Sequence, residues 1–158
     1  MFHGLFIYAQ DYLYDDKQEV LNFIQEISSS SYQINILDTT ESVICLISGF
    51  ENIKATYFFN EARSCDSIVL VYDCLQCLDK HIERIVSDSR GRRKWIKSDE
   101  KLYFGKSWMS QSIRDKQVTF GVPAMQVHIS EPEAIITIYT AYFSKEEWRI
   151  KKSQRKKI

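Results

Sequence analysis

The chain has 158 residues, with 44% hydrophobic and 27% charged side chains and equal numbers of bases and acids, 21 of each. That size and balance fit one globular domain and argue against a disordered chain. The neutral total hides a division: residues 1–90 hold 14 acids and 6 bases, a net of −8, whereas residues 91–158 hold 7 acids and 15 bases, a net of +8.

Nine Phe, nine Tyr and three Trp stand against five Gly and two Pro. Aromatic wealth with so few loop-forming residues predicts a tightly packed core containing β-strands. No apolar run reaches the ~20 residues of a membrane helix. Met1 to Gln10 has no basic leader and no small-residue cleavage site, so no signal peptide is predicted. Cys45, Cys65, Cys74 and Cys77 are too sparse for a secreted disulfide scaffold. They are expected as reduced thiols in a cytoplasmic protein without membrane contact.

In chain order, Gly4 to Ala9 reads as a short buried strand. Asp15 and Asp16 supply N-cap chemistry for a helix reaching about Ser28, with Val20, Leu21, Phe23, Ile24 and Ile27 at helical spacing. Tyr32 to Leu37 and Ser42 to Ser48 read as a hairpin around Asp38 to Glu41. Lys54 to Asn60 fits either a strand or a helix. Ser67 to Tyr72 is an unbroken apolar run, the signature of a strand covered on both faces. Asp73 caps a predicted helix through about Asp88, with Leu75, Leu78, Ile82 and Ile85 turned inward. The basic segment Ser89 to Lys94 reads as a loop.

Short strands follow. Trp95 to Lys97 and Leu102 to Phe104 flank a turn at Ser98 to Glu100. Met125 to Ile129 and Ala134 to Phe143 flank a turn at Ser130 to Glu133. Neither face of the last strand is charged, so both sides are expected to be covered or to meet a partner. The expected fold is α+β: a mainly antiparallel sheet with two principal helices packed on it. Residues 1–150 form the single domain, and 151–158 (KKSQRKKI) form a mobile basic tail.

Several groups are candidates for chemistry. Cys74, Cys77 and His81 place three soft ligands on one side of the predicted helix, a spacing compatible with zinc. The same positions lie on its apolar stripe, and packing is the preferred reading. Cys74-x2-Cys77 also has the spacing of a redox pair, without a Pro or Gly between the cysteines. His3 and His128 stand apart, and no nucleophile elbow or phosphate-binding glycine loop occurs. Glu131 and Glu133 are read as dressing a solvated turn. No catalytic residue, metal ligand or cofactor is assigned.

Two surfaces are candidates for binding. Arg90, Arg92, Arg93, Lys94, Lys97, Lys101 and Lys106 alternate with Trp95, Tyr103 and Trp108, a pattern suited to single-stranded nucleic acid. Asp11, Asp15, Asp16 and Glu19 surround Tyr12 and Tyr14 at the first helix. Carboxylates beside aromatic anchors suit a basic protein surface.

A small α+β chain with aromatic-rich strands and no catalytic motif resembles, in overall build, bacterial toxin-immunity proteins, including those of contact-dependent growth inhibition. The resemblance implies a non-enzymatic cytoplasmic protein that binds and neutralises a toxin domain. Nucleic-acid binding through residues 90–108 is the alternative, and a metal or redox protein built on Cys74, Cys77 and His81 is the second.

Overall fold

The computed structural model describes residues 13–28, 33–48, 53–87, 95–105, 110–114 and 117–154. The predicted strand Gly4 to Ala9 lies outside them. β-branched and aromatic runs separated by short polar turns build a four-strand meander first: β1 (Gln33–Asp38), β2 (Ser42–Ser48), β3 (Ile53–Phe59) and β4 (Cys65–Tyr72). The predicted first hairpin is present, closed by Thr39, whose N–H donates to the Ser42 carbonyl at 2.9 Å. The ambiguous segment Lys54 to Asn60 is strand as far as Phe59, because its alternate residues pack into the core between β2 and β4.

The second half of the chain adds β5 (Trp95–Asp99), β6 (Leu102–Gly105), β7 (Ser110–Arg114), β8 (Gln117–Ser130) and β9 (Glu133–Ser144). The spatial order is β1-β2-β3-β4-β9-β8-β6-β5, with β7 also paired to β8. Every pairing among these strands is antiparallel. Both predicted hairpins of this half occur, although β8 begins at Gln117, well before Met125.

Three helices complete the fold among the described residues: α1 (Lys17–Ser28), α2 (Leu78–Ser87) and α3 (Lys145–Gln154). α1 starts where predicted, because the Asp16 carboxylate accepts the Gln18 N–H at 2.7 Å and satisfies an otherwise orphaned donor. α2 starts later than predicted. A 3-10 turn at Leu75–Cys77 precedes it, so Cys74 and Cys77 lie outside the helix. The expected strand ends at Phe143 and the expected mobile tail begins at Lys151, with no helix predicted between or across them. Instead α3 crosses residue 150 and makes Lys151 part of the fold.

Alternation divides the sheet into two faces. The first carries Val43, Cys45, Ala55, Tyr57, Ile68, Leu70, Tyr72, Met125, Val127, Ala134, Ile136 and Ile138, all buried. These join one core with Val20 and Ile24 of α1 and Leu78 and Ile85 of α2, so both helices cover this face. At one end of the second face, Phe104, Val122 and Ala124 are packed under Trp148 of α3. β4 is central, as expected, but not equally covered on both sides. Cys65, Ile68, Leu70 and Tyr72 are buried, whereas Ser67, Val69 and Val71 are half-buried.

The chain enters α1 through a short pairing with the β3–β4 turn. Tyr14 N–H donates to the Cys65 carbonyl at 2.6 Å, and Cys65 N–H donates to that of Asp15 at 2.9 Å. In that turn Arg63 is left-handed, with φ 61°, and its N–H donates to the Asn60 carbonyl at 2.8 Å. An L-residue with a Cβ pays ~1–2 kcal/mol there, more than glycine loses through its freer unfolded chain. Arg63→Gly is therefore expected to stabilise the protein by about 0.5 kcal/mol in urea denaturation. A net loss would show that the exposed arginine side chain holds the turn.

Candidate functional site

Among the described residues, no helix packs on the part of the second face over β1 to β4, although Thr56 there is buried. Register places Leu37 opposite Ile44, Leu46 opposite Lys54, Thr56 opposite Val69, and Val71 opposite Ile135. All of these side chains share the face that α3 covers at the far end of the sheet. Leu37 is 59% exposed, Leu46 44% and Phe58 40%. Half-buried Ile44 adjoins Leu37 and Leu46, and Val69, Val71 and Ile135, also half-buried, continue the face on β4 and β9. Single exposed hydrophobes are ordinary, but apolar side chains recurring over neighbouring strands of one sheet face make a candidate interaction surface. Lys54 is the exposed charged residue among the side chains on this part of the face.

The predicted acidic patch is arranged differently from its expected form. Asp11 and Tyr12 lie outside the described residues. Tyr14 is half-buried, and its hydroxyl shares a 2.6 Å hydrogen bond with Thr140 Oγ1. It is held by its own fold and does not project as an anchor. Asp15 is half-buried in the pairing with β4, and Asp16 is engaged as the α1 cap. Glu19 is exposed in the first turn of α1. The neighbouring Lys17 is tied down too. Its ammonium pairs with Asp38 at 2.6 Å and donates to the Thr39 carbonyl.

The predicted nucleic-acid surface loses its described stacking groups. Trp95 and Tyr103 are 7% and 9% exposed and belong to the core of the first face. Lys97 and Lys101 are exposed, while Arg90, Arg92, Arg93, Lys94, Lys106 and Trp108 lie outside the described residues. A cation without a base platform gives a solvated charge and no stacking energy.

Cys74 and Cys77 are joined in a disulfide, contrary to the expectation of four reduced thiols. The turn brings their Cα atoms to 5.3 Å, within bonding reach. Two sulfurs bonded to each other are not zinc ligands, so the three-ligand set with His81 is not assembled. His81 is buried, with its ring 4.5 Å from that of Tyr72 in a stacked arrangement. Among the described residues, no group of three His, Cys, Asp or Glu side chains could hold a metal ion. His128, Glu131 and Glu133 are exposed.

Cys45 and Cys65 are free and buried. Desolvation pushes the Cys45 thiol from an ordinary 9.0 to about 11. The folded state then holds its proton where the unfolded state releases it. The resulting stability is complete below the ordinary thiol range and is lost as pH rises from 9.0 through about 11. Urea midpoints should fall across that window, and Cys45→Ala should flatten the fall. An unchanged slope in the variant would place the titration elsewhere.

Among the described residues, no helix is long and apolar enough to cross a membrane. No protein-family model, curated protein or solved structure matches the chain.

Proposed function

We propose that this is a non-enzymatic binding protein whose sheet face over β1 to β4 docks a protein partner, in the manner of an immunity protein that neutralises a toxin domain. Exposed Leu37, Leu46 and Phe58, on one face of three neighbouring strands, carry the reading. A β-surface with an aromatic member supplies anchor area at low entropic cost. The exposed charged residue that the register places on this face is Lys54, so a complementary partner sets a carboxylate beside its apolar contact area. The interface thereby shifts from the acidic helix face to the other side of the sheet.

The test pairs two variants with a toxin encoded beside this gene. Leu46→Glu with Phe58→Glu should retain the circular dichroism spectrum, because both side chains are already exposed. It should weaken binding by at least ~100-fold in calorimetry, the scale of losing two interface anchors. Reversal of Asp11, Asp15, Asp16 and Glu19 to Lys should mainly change the association rate, with an effect that fades in salt. Intact binding by the first variant and loss by the second would return the interface to α1.

A further inference from the structure

The bonded pair Cys74–Cys77 sits at an open pocket of about 700 Å³ lined by Asp73, Cys74, Leu75, Gln76, Glu131 and Pro132. We infer that this disulfide is a thiol–disulfide exchange site selective for thiols that carry positive charge.

Two observations carry the inference. The pair is half-buried, whereas Cys45 and Cys65 are buried, so the fold presents only this sulfur chemistry among the described cysteines. Of the two bonded sulfurs, the residue lining the pocket is Cys74. With attack at the pocket-lining Cys74, Cys77 is the sulfur that leaves as the thiolate.

The reaction follows from that asymmetry. An incoming thiolate attacks Cys74 Sγ and forms a new S–S bond, and the Cys74–Cys77 bond breaks with its electron pair going to Cys77. A second equivalent of thiol attacks the incoming sulfur of the mixed disulfide and releases Cys74 as a thiolate. Two thiols are thereby oxidised to one disulfide and the protein pair is reduced to two thiols. A disulfide of the same reagent reverses both steps. The process is an equilibrium exchange, compatible with a binding protein that turns nothing over.

The carboxylates of Asp73 and Glu131 line the approach. A thiolate with a second negative charge meets them repulsively, whereas one with an ammonium group is neutral overall, escapes that repulsion and can set its ammonium beside a carboxylate. The natural class is therefore a cationic small thiol or a cysteine flanked by basic residues.

The test uses cysteamine and 2-mercaptoethanesulfonate on the folded full-length chain at low salt, with rates compared per thiolate. Cysteamine should reduce the pair on the order of 5-fold faster, a ratio set by modest surface charge interactions. The ratio should fall towards one in high salt and in Asp73→Asn with Glu131→Gln. Cys77→Ser treated with cystamine should gain one cysteamine, mapped to Cys74 by mass spectrometry, with Cys45 and Cys65 unmodified. Equal rates for the two reagents in the parent protein would overturn the charge selectivity. A pair that reacts only after unfolding, or an adduct mapped to Cys45 or Cys65, would overturn the site.

Discussion

Trp148→Ala should cost about 3–5 kcal/mol, the range for emptying a large aromatic site from a packed cluster. Trp148 is 7% exposed, and its ring is 6.0 Å from that of Phe143, which in turn meets Phe104 edge-on at 5.5 Å. Val122 and Ala124 lie beneath, fully buried. Lys151, one turn further along α3, sets its ammonium 5.0 Å from the Phe104 ring centre and 5.3 Å from that of Phe143. The helix has little support elsewhere, since its other described residues are largely exposed. Removing the indole should therefore undock the whole helix and lower the melting temperature by roughly 10 °C. Trp148→Phe should recover most of the loss. A loss below about 1 kcal/mol for the alanine variant would mean that α3 does not pack on the sheet.

Leu78→Asp is the second large effect, at about 3–5 kcal/mol. Leu78 is 5% exposed, in one core with Ile85 and with Tyr72 of β4. Its place at the start of α2 gives the carboxylate a favourable helix dipole, worth up to about 1 kcal/mol, which does not offset burial of an unpaired charge. Leu78→Ala separates the contributions, since it removes volume without adding charge and should cost nearer 2–3 kcal/mol. Urea denaturation decides the matter: an aspartate variant as stable as the alanine variant would mean that position 78 reaches water.

The two hairpins of the second half, the first hairpin, α1 and the inward stripe of α2 were legible because period and turn chemistry agree over each of them. β4 was legible as a central strand but not in its coverage. An apolar run such as Ser67 to Tyr72 reads alike whether its second face is enclosed or half-open, and the register of neighbouring strands decides which. α3 was missed although its signal is present. Ser144 and Glu147 form a reciprocal capping box, with Ser144 N–H donating to Glu147 Oε2 at 2.8 Å and Glu147 N–H to Ser144 Oγ at 3.3 Å. Those bonds hold the Glu147 carboxyl below its usual range, the Ser144 backbone bond foremost. The lysines that follow looked like a tail because charge was weighed ahead of the cap. The sheet face over β1 to β4 was hidden for a different reason. Leu37, Leu46 and Phe58 come from three strands, and only pairing brings them together.

The order of strands also recasts the division of charge. β1 to β4 come wholly from the half with net charge −8 and β5 to β9 from the half with net charge +8. Among the described strands the halves pair along one seam, where Ser67 to Tyr72 pair with residues Tyr139 to Ala134. Each half is a run of local hairpins that can nucleate independently, while the seam joins residues about seventy apart and must close last. Opposite charge then steers one half onto the other during folding, before any outside ligand is met. A chain cleaved between β4 and β5 would become a pair of fragments, each the electrostatic complement of the other, whose reassociation slows as salt is added.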